Sequence, residues 1–199
     1  NGIKSEILYP PLMNPEQYSF GEYGDYIFYP SRVNHIKRQF LAIEAMQYVK
    51  SKVKLVLAGK GDTKDDEQFL FEKIKACGVQ DRVTYINRFI SQEEKAALFE
   101  NCLGCIYIPY DEDSYGYVTL EAFHSGKCVI SCTDAGGTDL LVKSDETGYM
   151  VEPTANAIAA AMDKLYNNRV NAREMGMNGL LLLQTLGITW DNVIKRFTE

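Results

Sequence analysis

Short unbroken apolar runs alternate along this chain with stretches in which apolar positions recur every three to four residues. The first pattern reads as buried strand and the second as one-sided helix. Residues 26–29 (YIFY), 54–58 (KLVLA), 83–86 (VTYI), 103–108 (LGCIYI) and 129–131 (VIS) are runs of the first kind. Between them lie segments at helical spacing. Residues 37–49 place Leu41, Ala45 and Tyr48 on one face, and 65–77 carry Leu70, Ile74 and Cys77 before a stop at Gly78. Ser91 with Glu94 forms the pattern of a capping box and starts a helix that ends near Glu100. Residues 118–125 predict a further helix, and 138–143 with 149–151 one more short unit. Beyond Asn156 the pattern is helical over 157–167, 172–185 and a last piece after Trp190. The first 20 residues, with Pro10, Pro11 and Pro15, read as an irregular lead-in.

Strands that alternate with helices and lack polar positions imply a mostly parallel sheet covered on both faces. Right-handed crossovers make it a doubly wound, Rossmann-like α/β fold with C-terminal helices, spanning 21–199 after the lead-in. Ligands of such sheets bind outside the carboxyl ends of the strands. That rule directs attention to the loops 30–37, 59–64, 87–91, 109–118 and 132–138.

Composition narrows the picture. The 199 residues carry a net charge of −6, which argues against a nucleic-acid surface but allows a local cationic site for a small anion. No apolar stretch approaches the roughly 20 residues of a membrane span, and no secretory signal opens the sequence, a pattern that fits the cytosol. Five cysteines do not suggest a disulfide framework. Cys102, Cys105, Cys128 and Cys132 could be drawn as a zinc site, yet Cys105 and Cys128 sit in apolar runs, and core packing is the expected role.

The loops supply the candidate chemistry. Arg32 and Lys37 bracket the first strand-to-helix turn, with Lys37 at or near the helix start. A cation there opposes the helix dipole unless an anion is bound, and a diphosphate would satisfy both side chains. Solvated surface cations are the plainer reading of that pair alone. In YDEDSYGYVTLEA, Gly116 permits close backbone approach, and the amides of Val118 and Thr119 open the next helix. Glu121, one turn further, could accept from two vicinal hydroxyls of a ribose, and Asp113 from a sugar ring. AGKGD (58–62) is an incomplete glycine-rich phosphate loop, weak evidence for a nicotinamide cofactor. Gly136 and Gly137 are either turn formers or a further close approach to ligand.

Taken in order, these pieces resemble the C-terminal, donor-binding half of a retaining glycosyltransferase of the GT-B architecture, glycosyltransferase family 4 (group 1). Arg32 and Lys37 match the family's R-x(4)-K clamp, and DSYGYVTLEA (113–122) matches its glutamate-x(7)-glutamate motif with Asp113 in the first acidic position. GGTDLL and TGYMVEP follow in place. The resemblance implies that Arg32 and Lys37 hold the diphosphate of a UDP-, GDP- or similar sugar nucleotide, helped by the backbone of Gly116, Tyr117, Val118 and Thr119. Glu121 would bind the ribose, Asp113 the transferred sugar, and the main chain at Arg88 and Phe89 the base. It further implies retention of configuration with no metal or other cofactor, although Asp111, Glu112 and Asp113 imitate a D-x-D metal clamp. The acceptor, a glycan or lipid-linked sugar, would bind an N-terminal domain that these residues do not supply, so the chain alone is expected to bind donor and transfer nothing. Many relatives build surface polysaccharides at the inner membrane face, which is the location the resemblance suggests for a full enzyme. A non-catalytic sugar-nucleotide module and an NAD(P)-dependent oxidoreductase domain remain the alternatives.

Overall fold

The computed structural model describes residues 7–112 and 114–198. Asp113, a candidate sugar-binding residue, lies outside them. Strands β1 (Tyr26–Pro30), β2 (Lys54–Ala58), β3 (Val83–Ile86), β4 (Gly104–Ile106), β5 (Val129–Cys132) and β6 (Gly148–Val151) form one six-stranded sheet. Its order is β3-β2-β1-β4-β5-β6, and the paired strands are parallel. Helices α1 (Gln39–Ala45), α2 (Lys64–Ala76), α3 (Gln92–Asn101) and α4 (Tyr117–His124) connect the strands. Helices α5 (Ala155–Asn167), α6 (Arg169–Thr185) and α7 (Trp190–Thr198) close the chain.

The doubly wound fold anticipated from the strand pattern is the one observed. Phe28 of β1 is in register with Val56 on one side and Cys105 on the other, and Ile27, Phe28 and Tyr29 are all buried. A central strand with no exposed face has no place for polar residues, so its sequence is a continuous apolar run. Cys102, Cys105, Cys128 and Cys132 are buried in this core, and burial pushes the thiols of Cys102, Cys128 and Cys132 up to about 12. The strand order reverses direction between β1 and β4, which opens a crevice at their carboxyl ends.

Several element boundaries differ from the sequence expectation. Helix α1 begins at Gln39, so Lys37 precedes it and does not open it. The cause is Arg38, a buried residue at φ 52°, whose guanidinium donates to the carbonyls of Ile108 and Pro109 and to both carboxylate oxygens of Asp134. A right-handed helix cannot extend back through a left-handed residue, so α1 starts only after Arg38. The helix also stops at Ala45, and Tyr48 is exposed, not packed with Leu41 and Ala45. Strand β4 ends at Ile106 because the amide of Ile108 turns to the Tyr29 hydroxyl at 3.3 Å. The expected helix over 138–143 is a single 3₁₀ turn, Gly137–Leu140.

The capping box at Ser91 is only half formed. Ser91 accepts from the Glu94 amide, but the Glu94 carboxylate is held by Arg88. A complete box caps α2 through Thr63 and Asp66. The lead-in is packed against the domain: the Tyr115 hydroxyl donates to the Pro10 carbonyl, and Trp190 Nε1 donates to the Leu12 carbonyl at 2.8 Å.

Candidate functional site

The loop after β1 carries both candidate cations, each already held by an acid. Arg32 donates to Asp62 Oδ1 at 2.9 Å, and Asn34 donates to the other oxygen of the same carboxylate at 2.8 Å. The Arg32 side chain remains 64% exposed, so this pair is a loose surface contact. Its carbonyl is fixed from below by the amide of buried Gln39, at 2.7 Å.

Lys37 is more confined. Its ammonium donates to the Glu112 carboxylate and to the Tyr107 hydroxyl. Burial lowers its pKa, but the hydrogen bonds to Glu112 and Tyr107 outweigh that effect and leave it raised. The Lys37 amide is occupied by Asn34 Oδ1 at 2.9 Å and is not an open donor at a helix start.

Across the crevice, Gly116 caps α4 at φ 72°. A Cβ at that position would stand 2.3 Å from the Tyr107 ring, so glycine lets the α4 entry rest on the same tyrosine that binds Lys37. Thus Lys37, Tyr107 and Gly116 form one continuous contact. Of the amides expected to be open, that of Thr119 donates to the Gly116 carbonyl at 3.0 Å, and its side chain is buried. Thr119 therefore does not present a donor to the crevice.

The glycine pair acts within the chain. Gly136, at φ 72°, lies against the Glu112 backbone, where a Cβ would come within 2.1 Å of the carbonyl oxygen. The Gly137 amide donates to that same carbonyl at 2.9 Å. This anchors the acidic loop, while the Glu112 side chain serves Lys37. The observed use of Glu112 is as a cation's partner, and Asp111 sits at φ 46° with its amide on the Asp134 carbonyl.

A cavity of about 280 Å³ lies at the carboxyl ends of β1 and β2, and Arg32, Phe89, Tyr117, Val118 and Glu121 all line it. Gly59 and Lys60 of the AGKGD loop and Lys95 of α3 complete its polar wall. Arg88 has its side chain turned to Glu94, with bonds of 2.7 and 2.6 Å, while the neighbouring Phe89 ring is exposed. Glu121 is 6% exposed and donor-bound on one oxygen by Lys95. Glu121 and Tyr117 also border a second cavity, of about 260 Å³, lined by Leu12, Gln17, Tyr18 and Gln92.

Residues 14–180 match the family described as glycosyl transferases group 1. The chain belongs to that family. Within it, the chain is 36% identical over 135 residues to the alpha-1,3/1,6-mannosyltransferase ALG2 of Dictyostelium discoideum, an alignment covering 65% of this chain and 31% of that protein. Sucrose-phosphate synthase from Thermosynechococcus elongatus superimposes with a TM-score of 0.78 at 25% identity, over 96% of this chain and 48% of that one. The C-terminal domain of the group 1 protein LpcC from Francisella tularensis superimposes at 0.69 and 25% identity, over 92% of this chain and 97% of that one. The group 1 chain therefore spans under half the length of ALG2 and of sucrose-phosphate synthase, and nearly all of a C-terminal group 1 domain.

The structure of this group 1 domain adds residues that sequence reasoning did not single out. Asp62 meets Arg32 from 30 positions away, Tyr107 meets Lys37 from 70, and Lys95 meets Glu121 from 26. None of these separations has a local signature. Only the ordering of the strands makes the residues neighbours.

Proposed function

We propose that this domain is the donor-binding half of a retaining, metal-independent glycosyltransferase that moves a hexose-type sugar from a nucleoside diphosphate to a glycan or lipid-linked acceptor. The observation that carries this reading is the single cavity shared by Arg32, Val118 and Glu121. Arg32 would take one side of the diphosphate and leave Asp62 to do so. Lys37 would approach from the Tyr107 side, exchanging Glu112 for a phosphate oxygen. Val118 and Tyr117 begin a helix whose dipole favours that negative charge. The Glu121 carboxylate, held by Lys95, would accept from the ribose hydroxyls, and Phe89 would offer its exposed ring and main chain to the base.

As the glycosidic bond breaks, charge gathers on the departing diphosphate. Arg32 and Lys37 would stabilise it, the kind of electrostatic contribution worth about 10²–10³ in rate for one donor. Asp113 is proposed to contact the transferred sugar. The acceptor would bind a partner domain across the crevice, so this domain alone is expected to bind donor and not to turn over. No described helix is long and apolar enough to cross a membrane; we place the full enzyme in the cytoplasm, at the inner membrane face.

Calorimetric titration of the domain with UDP, GDP and NAD tests the reading. Binding of UDP or GDP with weakening in Arg32→Ala is the expected result. Preference for NAD would favour an oxidoreductase, and binding of none would overturn the proposal.

A further inference from the structure

Lys95 is unlike the other cations of the cavity. It comes from α3 instead of a loop at the strand ends, and its ammonium rests on the carboxylate of Glu121. Both side chains are largely enclosed, at 18% and 8% exposure, yet both also face the cavity. A pair placed only to stabilise the core would be sealed inside it. Here one oxygen of Glu121 is bound by Lys95, and the carboxylate forms the wall between the two cavities. Tyr18 of the lead-in stands on the far side, its hydroxyl pushed above the ordinary range by burial, by the Glu121 charge and by a hydrogen bond to that carboxylate.

A carboxylate that must receive two vicinal hydroxyls has to be held in one orientation. An ammonium bonded to one of its oxygens fixes the group in that way.

We propose that Lys95 is a positioning residue for nucleotide recognition: it holds the Glu121 carboxylate by one oxygen and so aims its remaining acceptor positions at the ribose. This rests on the donor-binding reading above. In that arrangement Lys95 does not itself contact phosphate. Its effect appears only for ligands that carry a ribose.

The test compares wild type, Lys95→Met, Lys95→Arg, Glu121→Gln and the double variant Lys95→Met/Glu121→Gln by calorimetry, with UDP, GDP and inorganic pyrophosphate as probes. Loss of the Lys95 charge is expected to weaken the nucleoside diphosphate about tenfold, in line with a charged hydrogen bond, and pyrophosphate by less than about twofold. Lys95→Arg should recover most of the loss. In the Glu121→Gln background, removing Lys95 should change little, and this arm holds even where Lys95→Met alone folds poorly. Equal losses for pyrophosphate and nucleotide would overturn the proposal, since Lys95 would then be a phosphate ligand. Unchanged nucleotide binding in Lys95→Met would overturn it too, while leaving donor binding intact. A wild-type domain that binds neither UDP nor GDP would overturn both.

Discussion

The two ends of the cavity are built differently. At one end Arg32 meets Asp62 with 64% and 36% of the side chains exposed, so solvent screens the pair and the arginine can swing away. At the other end Lys95 and Glu121 are largely enclosed, and neither can leave without stranding a charge. Lys37, held by Glu112 at 14% and 26% exposure, is intermediate. In the proposed donor-binding reading the contrast is a division of labour: the end that would take the ribose is preorganised, while the acids at the end that would take the diphosphate would be replaced by the incoming ligand.

The largest effect should come from the enclosed end. Glu121→Leu leaves the Lys95 ammonium unpaired, and stability should fall by about 3 kcal/mol, the lower part of the range for broken buried pairs because Lys95 keeps some exposure. Chemical denaturation measures this, and a loss below about 1 kcal/mol would erase the contrast. Next comes Gly116, the cap of α4. Gly116→Ala forces a side chain into a conformation suited to glycine and into the Tyr107 ring, so about 2 kcal/mol should be lost together with nucleotide binding.

Arg32→Ala lies further down the scale for folding. It should change stability by less than about 0.5 kcal/mol, as exposed pairs do, yet weaken nucleoside diphosphate binding about tenfold. A large stability loss would show that the exposed end is structural after all. The smallest effect concerns pH. The Arg38 hydrogen bond, ahead of other causes, holds the Asp134 carboxyl below its ordinary value. A depressed folded-state pKa gives stability that is complete above the unfolded value near about 3.9 and declines as pH falls through the folded one. Arg38→Met should therefore show a shallower loss of stability between about pH 4 and 2 than wild type, as followed by acid titration of the fold.

How legible the molecule was depends on the range of the forces involved. Strands β1, β2 and β5 could be placed within a residue or two because burial on both faces leaves an unbroken apolar run, a purely local mark. The start of α1 could not, since the left-handed turn at Arg38 is stabilised by Ile108, Pro109 and Asp134, residues 70, 71 and 96 positions away. The site followed the same rule. Arg32 and Phe89 lie on loops at the strand ends and Val118 and Glu121 in the first turns of α4, and the parallel topology that the sequence pattern announces brings all four to one cavity. The partner of the Thr119 amide, the carbonyl of the capping Gly116, was not legible in the sequence, because the bond depends on the turn geometry at that glycine. Lys95 and Tyr107 escaped notice because neither occupies a strand-end loop that the topology rule selects.

The central claim is that Arg32 and Lys37 act on one diphosphate. Calorimetric titration of wild type, Arg32→Ala, Lys37→Ala and the double variant, using whichever of UDP or GDP binds and its parent nucleoside, tests this most directly. Both single variants should weaken the diphosphate about tenfold or more, their effects should be non-additive, and affinity for the nucleoside should stay the same. A Lys37→Ala domain that binds the diphosphate as tightly as wild type would contradict the account.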